Sequence, residues 1–223
     1  MHGNLPALEA ALSAARERGA QLLVFGGDLA WGPMPAETVA RIRALDALHV
    51  RGNADREIAD GSRDDVVTHW AMEHLGEAGR AWLGALPAEQ VVEVEGLGRV
   101  RFVHGSPRSD EETITAVTPE ERVAAMLEGV EEPVVVCGHT HAAFDRRVGG
   151  RRVVNAGSVG LPFGESGAHW LLLGPGVVEH VVTPYDLEAA GAHFRALGAP
   201  DADEFADHIE APPPASTAAE LYG

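Results

Sequence analysis

Cysteine, lysine and long apolar segments are scarce or absent in this 223-residue sequence. Its one cysteine, Cys137, excludes an internal disulfide framework and is typical of a protein from a reducing compartment. No segment reaches the ~18 consecutive apolar residues of a membrane helix, and the first residues lack the basic and apolar pattern of a signal peptide. We therefore expect a soluble, cytoplasmic, globular protein with no membrane partner.

Positive charge is also scarce. The chain has 17 basic residues, all arginine, against 34 acidic ones, and a formal net charge of −17 with its 11 histidines neutral. This charge argues against extended nucleic-acid binding, which depends on basic residues that displace counterions. It does not exclude a small anionic substrate, because a bound metal ion reverses the local field.

The order of helix-like and strand-like segments predicts one α/β domain. Apolar residues have helical spacing from Leu5 to Ala15, and a strand-like run follows over Gln21–Phe25. Most of the segments over residues 144–182 are strand-like, which indicates a layered fold with two sheets. The Pro-rich segment that begins at Ala211 breaks this pattern. We therefore predict a single domain over residues 1–210 and a disordered, acidic and Pro-rich tail over residues 211–223.

Polar clusters with metal-ligand atoms follow four apolar runs of the chain. They are Gly26-Gly27-Asp28, Gly52-Asn53-Ala54-Asp55, His104-Gly105-Ser106 and Gly138-His139-Thr140-His141. Open α/β sheets place ligands at the carboxyl ends of their strands, and glycine lets the backbone turn sharply there. Mixed oxygen and nitrogen donors without a thiolate cluster suit manganese, iron, zinc or nickel.

Each cluster alone has an ordinary structural interpretation. Gly-Asp and Gly-Asn are common turn dipeptides, and a single His104 is more often a core histidine with satisfied hydrogen bonds. His139 and His141 are a stronger signal, because residues two apart face the same side of an extended segment. The occurrence of all four clusters in order favours a metal site.

The ordered set resembles the calcineurin-like metallophosphoesterase superfamily. The superfamily pattern runs Asp-x-His, Gly-Asp, Gly-Asn-His-Asp/Glu, His and Gly-His-x-His. The segments His104-Gly105-Ser106-Pro107 and Asn155-Ala156-Gly157-Ser158-Val159-Gly160 look most similar to its small bacterial, phosphodiesterase-like branch. The resemblance implies a four-layer αββα sandwich, an α/β fold in which two mixed β-sheets are flanked by helices.

The resemblance also implies a dinuclear centre of two divalent transition metals, with Mn²⁺, Fe, Zn²⁺ and Ni²⁺ as candidates. By position, one metal would be held by His2, Asp28 and His141, and the other by Asp28, Asn53, His104 and His139. Asp28 would bridge the two ions. Asp28, Asn53 and His104 are the expected catalytic residues, around a metal-bridging hydroxide that attacks phosphorus.

Two positions depart from the superfamily pattern. The first motif is represented only by Met1-His2, so its Asp and the strand before it are missing, which should expose the edge of an adjacent strand. Either the start codon lies upstream or the chain is shortened and its first metal site is incomplete. The second departure is Ala54, which replaces a histidine usually assigned to the leaving group or the phosphate.

The sequence thus predicts a metal-dependent phosphoesterase, and specifically a phosphodiesterase that acts on a small organic phosphate or nucleotide. A non-catalytic or impaired scaffold for protein contacts, and a phosphoprotein phosphatase, are the alternatives. Asn4 is either a substrate contact or the cap of the first helix, and Arg56 is either a substrate contact or a surface ion pair. The substrate, the metals and the oligomeric state, including a homo-oligomer, stay open.

Overall fold

The computed structural model describes residues 1–222. The helices are α1 (Leu5–Glu17), α2 (Pro35–Arg43), α3 (Asn53–Asp60), α4 (Val66–Gly84), α5 (Glu120–Met126), α6 (Leu187–Leu197), α7 (Ala202–Glu210) and α8 (Ala215–Tyr222). The strands are β1 (Leu23–Phe25), β2 (Ala47–His49), β3 (Glu89–Val94), β4 (Gly98–Val103), β5 (Val134–Cys137), β6 (Phe144–Val148), β7 (Arg151–Asn155), β8 (Ala168–Gly174) and β9 (Val177–Thr183).

A five-stranded mixed sheet forms one central layer, in the order β3-β4-β5-β7-β6. The pairs β4-β5 and β5-β7 are parallel, whereas β3-β4 and β6-β7 are antiparallel hairpins. All four residues of β5 are buried, as expected for a parallel strand covered on both faces. Val123 and Met126 of α5 pack against Val135 and Val153 on one face of this sheet.

Two smaller sheets form the second central layer. β1 pairs with β2 in parallel, and β8 pairs with β9 in an antiparallel arrangement. Leu171 and Leu173 of β8 pack against Val134 and Val136 of β5, so the two β layers face each other. Helix α1 covers β8 on the outside. The predicted α/β architecture, with two β layers between helices, is confirmed, although the second layer consists of two separate pairs of strands.

A cleft of about 760 Å³ lies between β1 and β8. Within residues 1–222, β1 is hydrogen-bonded only to β2 and β8 only to β9. The apolar lining of the cleft comes from α1, β1, β4, β5 and β8 and includes Leu8, Leu12, Leu23, Phe25, Phe102, Val136, Leu171 and Leu173. An unpaired strand edge therefore faces the cleft.

The C-terminal segment is ordered as far as the structure describes it, which differs from the predicted disordered tail. Residues 215–222 form α8, Ala218 is fully buried, and the Gly164 amide donates to the Pro213 carbonyl at 2.8 Å. The proline run ends at Pro214, and the alanine-rich sequence after it favours a helix. Gly223 lies outside the described residues. None of the helices described is long and apolar enough to cross a membrane.

Candidate metal centre

The four polar clusters meet at one edge of the β layers. Asp28 follows β1, Asn53 follows β2, His104 follows β4, and His139 and His141 follow β5. His2 joins them from the loop before α1, because the His2 amide donates to the Asp28 carbonyl at 2.8 Å. Residues that are up to 139 positions apart in sequence thus share one site.

His2, Asp28 and His141 form the first group of candidate ligands. Their donor atoms all lie within 4.8 Å of one another. The His2 and His141 Nε2 atoms are 2.9 Å apart, and His2 Nε2 is 3.6 Å from Asp28 Oδ2. Two imidazole nitrogens and a carboxylate oxygen that converge in this way suit a divalent transition metal.

Asp28, His104 and His139 form the second group, also with their donor atoms within 4.8 Å of one another. Asp28 Oδ2 is 3.3 Å from His104 Nε2, and the Asn53 Oδ1 atom is 3.1 Å from the same ring nitrogen. Asp28 belongs to both groups. The structure thus places Asp28 in both groups and Asn53 beside the second, and a bridge by Asp28 between two ions stays a prediction.

Backbone carbonyls orient two of the histidine rings. His104 Nδ1 lies 2.8 Å from the Gly26 carbonyl, and His2 Nδ1 lies 3.2 Å from the Trp31 carbonyl. Because a carbonyl only accepts hydrogen bonds, each Nδ1 must carry the proton. The Nε2 lone pair of each ring is then free for a metal, an arrangement that is common around metal-binding histidines.

Four of the candidate ligands have a left-handed backbone conformation. The φ angles are 53° at His2, 52° at Asp28, 63° at His139 and 58° at His141. Among residues 1–222, Asp201 is the one other residue besides glycine with a positive φ. Such strained conformations concentrate at functional sites, where the surrounding fold holds them.

Glycines let the metal-ligand loops approach one another closely. A Cβ atom on Gly27 would lie 2.6 Å from His104 Nδ1 and 2.6 Å from the Gly52 amide nitrogen. A Cβ atom on Gly52 would overlap the Asp28 carboxylate. Only glycine at these two positions leaves room for the Asp28 and His104 side chains.

The electrostatics favour neutral histidines at most ligand positions. Burial lowers the pKa of His141 to about 3, and burial followed by the nearby His141 ring lowers the pKa of His2 well below its usual value. Burial and His104 lower the pKa of His139. Burial disfavours a charge on His104 as well, but the Asp28 carboxylate outweighs it and raises the pKa of that ring. Neutral imidazoles are the form that binds metal.

Asp55 braces the loop that carries Asp28. The Leu29 and Gly52 amides donate to its two carboxylate oxygens at 2.8 and 2.9 Å, and Asp55 is fully buried. Burial and then the charge of Asp28 raise the pKa of Asp55 to about 6. Ala54, which replaces the superfamily histidine, offers only its backbone amide, which donates to Asp28 Oδ1 at 3.0 Å.

Asn4 and Arg56, the two predicted substrate contacts, are engaged elsewhere. Asn4 Oδ1 accepts a hydrogen bond from the Ala7 amide and its Nδ2 donates to the Gly160 carbonyl, with the residue 1% exposed. Asn4 therefore caps α1. The Arg56 guanidinium is paired with Asp110 at 2.8 Å and with Glu111 at 2.6 Å, so the ion-pair interpretation of Arg56 is the one that the structure supports.

Other residues support the ligands from outside. Asn155 donates from Nδ2 to the Gly138 carbonyl at 2.6 Å and to Thr140 Oγ1 at 3.0 Å, so it stabilises the loop that carries His139 and His141. The ring of Trp31 meets the His2 ring edge-on with centroids 5.8 Å apart. Tyr222 lies beside the site with its ring centroid 6.0 Å from that of His139. Sequence reasoning missed Tyr222, because it placed the whole C-terminal segment in a disordered tail.

Comparisons with known proteins show the family to which this chain is similar. Residues 1–174 match the calcineurin-like phosphoesterase superfamily domain. Phosphodiesterase YfcE of Escherichia coli (strain K12) is 28% identical over 184 residues, which cover 78% of this chain and 83% of that protein.

Two solved structures share the fold over nearly the whole chain. A metallophosphoesterase from Sphaerobacter thermophilus has a TM-score of 0.77 and 26% identity, and the match covers 94% of this chain and 95% of that one. A hypothetical protein from Pyrococcus horikoshii OT3 has a TM-score of 0.77 and 24% identity, with 93% of each chain covered. With its phosphoesterase motifs gathered at one edge of this fold and most of its length matched to the family, the protein belongs to the calcineurin-like phosphoesterase superfamily.

Proposed function

We propose that this protein is a metal-dependent phosphodiesterase that hydrolyses a small organic phosphodiester or nucleotide. The observation that carries the proposal is the pair of ligand groups that share Asp28, each with its donor atoms within 4.8 Å of one another. The named activity of the Escherichia coli relative, a phosphodiesterase, supports the same reaction class. The net charge of −17 favours a small substrate over a nucleic acid, and the single cysteine is consistent with a cytoplasmic location.

The residues present fit two divalent cations, with His2, Asp28 and His141 at one and Asp28, Asn53, His104 and His139 at the other. Such ions, when bound, would acidify water and neutralise phosphate oxygens. Asp28 contributes the negative charge that both ligand groups share, and Asn53 adds a neutral oxygen. Mn²⁺, Fe, Zn²⁺ and Ni²⁺ all suit this set of nitrogen and oxygen donors.

The structure offers no imidazole at position 54 to protonate a leaving group. General acids of this kind contribute typically 10²–10⁴-fold to the rate. We therefore assign to this protein substrates whose leaving group departs without a proton, such as an aryl oxide. The two sets of converging donors give no support to a purely scaffolding role, for which metal ligands are not needed.

The cleft between β1 and β8 is proposed to hold one further β-strand, supplied by residues joined to the Met1 nitrogen. The Met1 amine is buried at the end of the cleft and donates to the Asp28 carbonyl at 2.9 Å. Burial lowers the pKa of this amine to about 6, so its surroundings suit the N–H of a peptide bond better than an ammonium group. A strand that ends at Met1 would run parallel to β1, because β1 also leads towards Asp28.

Such a strand would bring an Asp of the Asp-x-His motif next to the first ligand group. The DNA immediately upstream of the Met1 codon provides the first test, which is whether it encodes in frame an apolar run that ends in Asp. The extended protein should hold two metal equivalents tightly by mass spectrometry, whereas the 223-residue chain should hold one tightly and one weakly. Two tightly held equivalents in the 223-residue chain would contradict the assignment of an incomplete first site.

Hydrolysis of bis(p-nitrophenyl) phosphate with added Mn²⁺ tests the function itself. We expect activity that depends on metal and is abolished in Asp28→Asn. The matched control is Asp64→Asn, because the Asp64 side chain is 95% exposed and its loss should leave activity unchanged. Inactivity of both the 223-residue chain and the extended protein would overturn the proposed function and favour a scaffold.

A further inference from the structure

The last residue of α8 lies beside the metal centre. The Tyr222 and His139 rings have centroids 6.0 Å apart and planes inclined by 50°. Burial raises the pKa of the Tyr222 phenol, with a further contribution from the negative charge of Asp28, whereas the positive charge of Arg63 lowers it. Tyr222 therefore lies within electrostatic range of both Asp28 and Arg63.

Two hydrogen bonds and one buried side chain fix α8 in this position. Thr113 Oγ1 donates to the Tyr222 carbonyl at 2.7 Å, and Thr113 belongs to the loop that follows His104. Ala218 on the same helix is fully buried. The Pro213 carbonyl, just before α8, accepts a hydrogen bond from the Gly164 amide at 2.8 Å. The backbone of Tyr222 is therefore held beside the metal centre by contacts within the fold.

A second aromatic residue borders the other ligand group. Trp31 meets His2 edge-on at 5.8 Å between centroids, and the Arg63 guanidinium lies 5.0 Å from the centroid of the Trp31 ring. His2 and His139, one from each ligand group, thus each have an aromatic neighbour. The surroundings of the site thus include two aromatic rings, which suit a flat organic group attached to the phosphate.

We propose that Tyr222 is a specificity-determining residue, whose ring contacts the organic group of the phosphodiester and favours aryl and nucleobase-bearing substrates over alkyl ones. The proposal rests on the phosphodiesterase function proposed above. Aromatic contacts of this kind change binding by about three- to tenfold.

Two diesters with the same leaving group test the proposal, namely phenyl p-nitrophenyl phosphate and methyl p-nitrophenyl phosphate. In Tyr222→Ala and Tyr222→Leu, we expect the KM for the phenyl diester to rise by about three- to tenfold, while the KM for the methyl diester stays unchanged. Tyr222→Phe should keep the wild-type preference, because it retains the ring. Leu221→Ala is the matched control, since Leu221 is the preceding residue of α8 and 66% exposed.

Calorimetric binding of phenylphosphonate and methylphosphonate to the Mn²⁺-loaded protein separates this proposal from the proposed function. Wild type should bind phenylphosphonate more tightly, and Tyr222→Leu should lose that preference whether or not any diester is hydrolysed. If Tyr222→Leu lost affinity equally for both phosphonates, or kept its affinity for both, the proposed role of Tyr222 would be overturned even in an active enzyme. Preserved phosphonate selectivity without any diester hydrolysis would instead overturn the phosphodiesterase function.

Discussion

The Asp28 carboxylate and the His104 ring form a pair in which Asp28 Oδ2 lies 3.3 Å from His104 Nε2. The other nitrogen of that ring is held by the Gly26 carbonyl, two residues before Asp28. The loop after β1 therefore supplies one candidate ligand and also orients the candidate ligand that follows β4. This coupling is why small changes in the loop should affect metal binding.

Gly52→Ala should weaken metal binding and hydrolysis, because the added Cβ would displace the Asp28 carboxylate. Changes just outside the ligands of a metal site typically cost about 10- to 100-fold in metal affinity, and we expect at least that. Titration with Mn²⁺ measures it. The matched control is Gly174→Ala, where an added Cβ has no neighbour within 4 Å. Equal Mn²⁺ affinity in both variants would show that the loop relaxes around the methyl group.

Asp55→Asn should destabilise the protein and weaken metal binding. An amide side chain has one oxygen and so accepts from only one of the Leu29 and Gly52 amides, which leaves the other N–H buried without a partner. Such a loss costs about 1–3 kcal/mol in the free energy of unfolding, which urea denaturation measures. Asp60→Asn is a control on the same helix, since Asp60 is exposed and accepts a hydrogen bond from the nearby Ser62 amide. Similar losses in the free energy of unfolding for the two substitutions would show that Asp55 does not stabilise the loop that carries Asp28.

The metal-free protein should lose stability as the pH falls below about 7, partly through His141. Burial lowers its folded-state pKa to about 3, whereas the unfolded chain titrates near ~6.5. Between these values the unfolded chain binds a proton that the folded chain does not, so acid favours unfolding. This one group should contribute about 2 kcal/mol of lost stability between about pH 7 and pH 5.

Comparison with His141→Gln isolates that contribution. Asp55, with its pKa raised to about 6, changes stability in the opposite direction over about pH 4–6, but it does so in both proteins. Urea denaturation after removal of metal should therefore show a weaker pH dependence in His141→Gln. Parallel curves for the two proteins would mean that His141 is charged in the folded state.

Arg56→Ala should leave the KM for diester substrates unchanged. The guanidinium is engaged by Asp110 and Glu111, and the pair is partly exposed, so its loss should cost no more than about 1 kcal/mol of stability. Steady-state kinetics with bis(p-nitrophenyl) phosphate decide the matter. A rise in the KM of Arg56→Ala without a change in kcat would instead indicate that Arg56 contacts the substrate.

The leaving group should control the rate of hydrolysis. Because Ala54 has no side chain that donates a proton, rates should fall steeply along a series of methyl aryl phosphates as the aryl oxide becomes more basic. The slope of rate against the pKa of the leaving phenol measures this dependence. A nucleoside or sugar phosphate that reacts as fast as an aryl diester would contradict the prediction.

Much of the site could be predicted from the sequence, because its ligands follow apolar strands in a recognisable order. Asp28, His104, His139 and His141 lie where this order suggests, and Asn4 caps α1 through a side chain that is short enough to reach the Ala7 amide. These features are local or depend on motifs.

The remaining features depend on contacts between distant segments. The left-handed conformations of the candidate ligands are imposed by packing, because a positive φ is uncommon for any residue other than glycine and the sequence does not specify where it occurs. The order of α8 depends on the burial of Ala218 and on the hydrogen bond between Thr113 and Tyr222. Thr113 and Tyr222 are 109 positions apart in the sequence. The prolines before α8 predict a break in secondary structure and do not predict those contacts.

The left-handed backbone of the ligands has a consequence for protein engineering. Each such residue costs on the order of 1–3 kcal/mol, which the surrounding structure must supply. A synthetic peptide with the sequence of residues 138–141 would relax to ordinary backbone angles and turn His139 and His141 away from their present directions. The candidate metal-binding segment over residues 138–141 therefore cannot be transferred to another protein by itself. The flanking strands would have to be transferred with it.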